Sequence, residues 1–193
     1  MTMWVNFPTI YGDKSIVSRT SGNSNGWALR ASSGQFNFVK YNIADQYSNG
    51  TFSYTTNTWY HVALVRSSST LTTLYINGVS VGTSATNYTF SDTQFQIGQA
   101  PIGQYFAGYI TNVRYVAGTA VYTTNFTPPT APVTEISGTG VLMNFNNVGV
   151  YDAHSTVNLL TVGNTQANTS IQKYSSASVY FDGTGDWLIS PPS

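Results

Sequence analysis

The chain has 193 residues, of which 41% are hydrophobic and 15% aromatic, whereas only 7% are charged. This composition is the reverse of the one that keeps a chain disordered, and the length suits a single domain with a sizeable core. Seven basic residues balance seven acidic ones, which argues against a nucleic-acid or anionic-membrane partner. The absence of cysteine excludes disulfides and thiolate metal sites. No apolar run approaches the roughly 18 residues of a membrane span.

The first part of the chain predicts a series of short strands separated by polar turns. Glycine, asparagine, serine and threonine interrupt the apolar segments every 6 to 12 residues or so, the spacing typical of an all-β sandwich or barrel. The predicted strands are MWVNF, KSIVSR, GWALRAS and GQFNFVKYN.

A three-stranded meander follows these strands. WYHVALVR, from Trp59 to Arg66, is apolar on both alternating faces, which predicts a central strand of a two-layer structure. LTTLYI then runs back to Asn77 and Gly78, a dipeptide that tolerates the two positive φ angles of a type I′ turn, and VSVGT returns.

The second half predicts two more strands, TQFQIGQ and YFAGYITNVRYV, followed by a proline-rich segment at 123–135. Because proline lacks a ladder donor, we expect this segment to cross the outside of the sandwich. GVLMNFNN predicts another strand, and YDAHSTVNLLTVGNTQ a loop-rich connection with room for one helical turn.

The chain closes on two apolar runs, SVYF and WLIS, around the glycine-rich turn DGTGD. This pattern predicts a hairpin, and an isolated hairpin needs further strands to cover its apolar side chains. Those side chains are Val179, Tyr180, Phe181, Trp187, Leu188 and Ile189.

Two of these segments carry a resemblance to a known family. WYHVALVRSSSTLTTLYINGVSVG is similar to the central meander of laminin-G-like, concanavalin-A-like jelly rolls. YFAGYITNVRYVAGTAVYTTNFTPPTAPVT resembles their late strands, in the form found in tail and appendage proteins of bacteriophages, especially marine ones. The resemblance implies an all-β, two-sheet antiparallel jelly-roll sandwich, one domain over 1–193, and a location in the virion.

The same resemblance implies a circular permutation. In that family SVYFDGTGDWLIS looks like the first hairpin, shortly before the strand represented by MWVNF, but in this chain it comes last. Segment 176–193 could supply its hairpin beside MWVNF of its own sandwich, or to a neighbouring copy or another virion protein by strand exchange. Alternatively, the sequence is a piece of a longer protein.

The sequence offers little for catalysis, although jelly rolls of this shape include glycoside hydrolases. Their chemistry needs two carboxylates across a scissile bond, and Glu135, the only glutamate, lies in the proline-rich segment. His61 lies within a predicted strand and is interpreted as structural. His154 follows Asp152 in a loop, but no activated nucleophile accompanies the pair. We therefore expect no enzymatic activity.

Asp182 and Asp186 bracket the Gly-Thr-Gly turn. Their side chains are expected to cap this turn through Asx-type hydrogen bonds, with calcium coordination as the alternative. No other cofactor is expected.

Four aromatic residues in predicted loops or at strand ends are candidates for ligand contacts: Trp27, Tyr41, Tyr47 and Tyr105. Their rings could stack on sugars, contact a protein partner or fill the core. The sequence predicts a non-enzymatic structural or adhesive virion protein that docks onto other virion proteins and copies of itself. The alternative is a lectin module for host-surface glycans. An exposed Trp27 and Tyr47 would favour the lectin, and their burial the structural role.

Overall fold

The computed structural model describes residues 1–21, 25–41, 47–48, 52–85, 87–100, 103–145, 153 and 159–190, with the backbone alone for 47–48. These residues form fifteen β-strands in two antiparallel sheets. No helix among them is long and apolar enough to cross a membrane. The architecture is the two-sheet antiparallel sandwich that the sequence predicts.

The strands follow the expected order, and several match the predicted segments to within one or two residues. They are β1 (Thr2–Asn6), β2 (Lys14–Arg19), β3 (Trp27–Ser32), β4 (Gln35–Lys40), β5 (Tyr47–Ser48), β6 (Trp59–Ser68), β7 (Leu71–Ile76), β8 (Val79–Ser84), β9 (Phe95–Ile97), β10 (Ala107–Val116), β11 (Thr139–Met143), β12 (Leu160–Val162), β13 (Gln166–Asn168), β14 (Ser178–Asp182) and β15 (Trp187–Ile189).

The first sheet has the order β13-β14-β10-β1-β6-β7-β8, and β11 also pairs with β10. The second sheet has the order β12-β15-β9-β2-β3-β4-β5. Along one side of β10, β14 pairs with residues Ala107 to Ile110 and β11 with Val113 to Val116, so these two strands lie end to end. The long β10 therefore joins the closing segment to the rest of the first sheet.

The central position predicted for WYHVALVR is confirmed. β6 lies between β1 and β7, and its Val62 and Leu64 belong to the main core between the sheets. On the opposite face, its Ala63 and Val65 pack beneath Phe126 of the proline-rich segment. Because both faces of β6 are covered, apolar residues occupy both alternating sets of positions.

The proline-rich segment lies on the outside of the first sheet, as predicted. The Phe126 amide donates to the Gly78 carbonyl at 2.9 Å, which fixes the segment to the turn between β7 and β8. Asn77 and Gly78 have φ angles of 49° and 80°, the positive values expected of a type I′ turn. Phe126 stacks on Tyr122 at a centroid distance of 3.7 Å.

The prediction of a closing hairpin is wrong, because β14 and β15 do not pair with each other. β14 pairs with β10 and β13 in the first sheet, whereas β15 pairs with β9 and β12 in the second. Nor does β14 lie beside β1, since β10 separates them. The closing segment is an arch between the sheets.

Burial explains why the arch forms. Phe181 of β14 is fully buried and Leu188 of β15 is 1% exposed, so both strands direct apolar side chains into the core from opposite sheets. Gly183 and Gly185, at φ angles of 92° and 73°, allow the chain to turn across the core between the two strands. A hairpin and an arch share this local turn chemistry, and the core decides between them.

Part of the region predicted as loop-rich is also β-structure. β12 and β13 each span three residues and lie at one edge of each sheet. The helical turn is predicted within 151–166, of which 151–152 and 154–158 lie outside the described residues, as therefore do Asp152 and His154.

Candidate functional site

A cleft of about 540 Å³ opens at one end of the sandwich. Strands β1, β3 and β7 begin at this end of the sandwich, and strands β2, β6 and β10 end there. This arrangement is expected of antiparallel neighbours. The segment 117–122, which follows β10, forms one rim. The volume lies within the range of about 300 to 1,000 Å³ that is usual for small-molecule sites.

Aromatic rings form much of the wall of this cleft, and hydroxyl groups lie among them. Phe38 is 2% exposed and closes the floor from the second sheet, whereas Phe90 and Tyr115 are only partly buried. The remaining aromatic residues of the lining are Trp27 and Tyr122, and its hydroxyl-bearing residues are Thr2, Ser67, Ser68, Ser69, Thr72 and Thr119.

The cleft also gathers Arg19, Arg66 and Arg114 from β2, β6 and β10. The chain's other arginine, Arg30, forms an ion pair with Asp13 at 3.6 Å and does not line the cleft. Among the residues that the structure describes, no aspartate or glutamate lines the cleft. This end of the sandwich is therefore positive, although the formal net charge of the whole chain is zero.

The hydrogen-bond acceptors of these guanidinium groups are uncharged. Arg19 Nη1 donates to the Tyr115 hydroxyl at 3.1 Å. Arg114 Nη1 donates to the Thr134 carbonyl at 2.8 Å. Arg66 Nη2 donates to the Ser69 carbonyl at 2.9 Å, and its guanidinium lies 4.7 Å from the centre of the Phe90 ring. These contacts orient the groups without neutralising their charge.

Arg114 is the most buried of the three arginines, at 7% exposure, and its Nε has no hydrogen-bond partner among the described residues. Burial, together with the positive charge of Arg114, lowers the pKa of nearby His61 to about 4. Burial and the same charge lower the pKa of the Met1 amine to about 5. At neutral pH the positive charge in this region therefore resides on the arginines.

Of the four aromatic residues proposed from the sequence, the structure brings only Trp27 to the cleft. Trp27 is 7% exposed and packs into the main core, so only its edge borders the cleft. Tyr41 is 8% exposed and packs with two alanines in a separate cluster. Tyr105 lies at the start of β10, away from the cleft, and stacks on Trp187 at 5.9 Å. The side chain of Tyr47 is outside the described part of the structure.

The two candidate calcium ligands act within the closing turn. Asp182 Oδ1 accepts from the Thr184 amide at 2.7 Å. Asp186, which is 1% exposed, accepts from the Asn164 amide at 2.8 Å and from the Asp182 amide at 3.1 Å. With the side-chain amide of Asn164 oriented so that its nitrogen faces Asp186, Asn164 Nδ2 donates to Asp186 Oδ1 at 2.7 Å. Within the described residues, no group of three or more His, Asp or Glu side chains could hold a metal ion.

The geometry of this end of the sandwich suits binding of a ligand. Glu135 is exposed on the proline-rich segment and does not line the cleft. His61 Nε2 is engaged by the Thr2 hydroxyl at 2.6 Å, and the imidazole is 1% exposed. The described lining thus supplies rings for stacking, hydroxyl groups and guanidinium donors, and it lacks the carboxylate pair of a glycosidase.

Comparisons with known proteins identify the family. Residues 1–134 match the laminin G profile of the concanavalin A-like lectin/glucanase superfamily, and the chain belongs to that superfamily. A search of curated proteins returned no match. Among solved structures, the chain is similar to a crystal structure described as "a putative carbohydrate binding protein" from Bacteroides ovatus ATCC 8483. The two share 18% identity and a TM-score of 0.55 over 97% of this chain and 52% of the other.

The family resemblance predicted from the sequence is thereby confirmed at the level of the superfamily and its fold. The chain spans about half the length of the Bacteroides structure. The arginine cleft, in contrast, was missed by sequence reasoning. Its members come from strands far apart in the chain, and no local motif marks them.

Proposed function

We propose that the protein is a carbohydrate-binding module without catalytic activity, and that its ligand occupies the cleft at the end of the sandwich. One observation carries this proposal: an open cleft of about 540 Å³ lined by aromatic rings, hydroxyl groups and guanidinium donors. Aromatic faces stack on the apolar faces of sugar rings, while polar groups orient the hydroxyls. The name of the Bacteroides structure, which shares the fold, agrees with this class of ligand.

The absence of catalysis is part of the proposal. Two carboxylates across the scissile bond are the usual requirement for glycoside hydrolysis, and the described lining of the cleft contributes none. Hydrolysis products released from the oligosaccharides that bind would contradict this part of the proposal.

Glycan binding is tested first with an array of neutral and acidic glycans, and then by calorimetry with those that bind. Thr119→Trp tests the location, because Thr119 is an exposed residue of the rim and a bulky ring there would fill the cleft. Thr56→Trp is the matched control, since Thr56 is exposed beside the start of β6, at the opposite end of the sandwich. We expect Thr119→Trp to abolish binding and Thr56→Trp to preserve it. Equal affinities of both variants, or no binding by the unsubstituted protein, would refute the proposal.

A second candidate function is a structural part of a virion that docks onto neighbouring subunits. The resemblance of the late strands to phage appendage proteins suggests it. The burial of Trp27, which is the outcome expected of the structural role, supports it, as do two edge strands. Val79 of β8 is 54% exposed and Leu160 of β12 is 52% exposed, so each sheet presents an apolar side chain on an edge strand. Edge strands are ready sites for pairing with another chain.

The molar mass of the purified chain, measured by light scattering at several concentrations, separates the two candidates. A stable oligomer, or aggregation relieved by another virion protein, would support the docking role. A monomer at all concentrations would count against it and favour the self-contained binding module.

A further inference from the structure

We propose that the ligand of the cleft is an anionic saccharide, one that carries carboxylate or sulfate groups. This inference rests on the proposed carbohydrate-binding function and specifies its ligand class. It depends on three cationic side chains that line one cleft without a described carboxylate among them.

The burial of Arg114 is the strongest argument. A buried charge is costly unless an opposite charge or a full set of hydrogen bonds compensates it. Only 7% of Arg114 is exposed, yet it forms no ion pair with a described carboxylate. Its Nη1 donates to a neutral carbonyl, a second hydrogen bond goes to the neutral Tyr122 hydroxyl, and its Nε has no described partner. An anionic ligand at the cleft would supply the missing compensation.

Arg19 and Arg66 extend the positive surface from Arg114 toward the second sheet and the rim. Each is held by a neutral acceptor, the Tyr115 hydroxyl in one case and loop carbonyls in the other. Fixed guanidinium groups bind carboxylates and sulfates better than flexible cations do, because their planar donors are oriented in advance. The neighbouring aromatic rings provide the contact with the sugar itself.

Three of the described aspartates have partners away from the cleft lining. Asp13 pairs with Arg30, and Asp186 stabilises the closing turn. Asp92 follows Phe90 closely in sequence but does not line the cleft, and its Oδ2 accepts from the Ser21 amide at 2.6 Å. Positive charge is thus concentrated in the cleft, although the whole chain has a formal net charge of zero.

The decisive experiment compares three probes by calorimetry on the intact protein. An oligogalacturonide supplies carboxylates, its carboxyl-reduced counterpart supplies the same sugar chain without charge, and a sulfated oligosaccharide of similar length supplies sulfates. We expect at least one acidic probe to bind about tenfold or more tightly than the neutral one, with an affinity that falls as salt is raised. The two acidic probes together show which anionic group the cleft prefers.

Variants then assign the effect to the arginines. Arg19→Gln and Arg114→Gln should each weaken acidic binding roughly tenfold and weaken neutral binding clearly less. Lys173→Gln is the matched control, because it removes one positive charge outside the cleft. Melting temperatures are measured for all variants. Arg19 is only partly buried, so Arg19→Gln provides the test if Arg114→Gln fails to fold.

The outcomes separate this inference from the proposed function. If the neutral probe binds as tightly as the acidic ones and the arginine variants behave like Lys173→Gln, the ligand class is refuted while carbohydrate binding stands. If no saccharide of any charge binds, both are refuted. A preference for an acidic probe that is lost in Arg19→Gln supports both.

Discussion

The ring of Phe181 in β14 lies directly against Gly98 at the end of β9, so the closing segment and the opposite sheet meet with almost no space between them. A Cβ built on Gly98 would stand 2.5 Å from Cε1 of Phe181. Gly98 has a φ angle of 90°, a conformation that favours glycine, and its amide donates to the Ile16 carbonyl at 2.9 Å. This contact secures the arch that ends the described chain.

We therefore expect Gly98→Ala to lower the free energy of unfolding by about 2 to 4 kcal/mol, because it combines a left-handed backbone with a steric overlap. Gly103→Ala isolates the backbone contribution, since Gly103 has a φ angle of 76° but open space around it. This control should cost only about 1 kcal/mol. Urea denaturation of both variants is the measurement. Equal losses would show that the contact with Phe181 is unimportant.

Phe181→Ala tests the same contact from the other side. Phe181 is fully buried between the sheets, so the substitution should leave a cavity and cost about 3 to 5 kcal/mol in thermal or urea unfolding. Ile10→Ala serves as the control because Ile10 is 50% exposed, and it should change stability little.

Deletion of 176–193 should have a larger effect than Phe181→Ala, since it removes β14 from one sheet and β15 from the other. A truncated chain that melts like the intact one would contradict the role of the arch.

His61 should make stability depend on pH. Its pKa is lowered from 6.5 to about 4 in the folded protein, so between these values the unfolded chain binds more protons than the folded one. The free energy of unfolding should therefore decrease as pH falls from 6.5 toward 4, by about 3 kcal/mol at most from this group. The difference in urea stability between the unsubstituted protein and His61→Gln should show this slope. An imidazole pKa near 6.5 by NMR would contradict it.

Calcium should not alter the stability of the closing turn. The buried Asp186 carboxylate accepts backbone amides from Asn164 and Asp182, and such donors repel a cation. We expect the same melting temperature in excess calcium and in excess chelator. A calcium-dependent rise, abolished by Asp182→Asn, would instead support the coordination alternative.

The fold was largely predictable because its strongest signals are local. The apolar residues on both faces of β6 mark it as a central strand, and the Asn77-Gly78 pair fixes the turn between β7 and β8. The three-residue strands β12 and β13 carry too little alternation to be recognised. The pairing of β14 and β15 was mispredicted because glycines permit both a hairpin and an arch, and only long-range packing such as that of Phe181 on Gly98 selects the arch.

The candidate site was less predictable than the fold. Aromatic residues could be named from the sequence, but their exposure depends on the facing sheet, which buries most of Trp27 and directs Tyr105 to Trp187. Arg19 and Arg114 line the same cleft only because the ends of β2 and β10 lie at the same end of the sandwich. No spacing along the chain encodes that proximity.

The most direct test of the account is an NMR titration that follows the arginine side-chain Nε–H signals as the acidic oligosaccharide is added. The chain has only Arg19, Arg30, Arg66 and Arg114, so each signal can be assigned by substitution. We predict that the signals of the three cleft arginines shift, while that of Arg30, which lies outside the cleft in an ion pair with Asp13, stays unchanged. Shifts confined to Arg30, or no shift at saturating ligand, would contradict binding at the cleft.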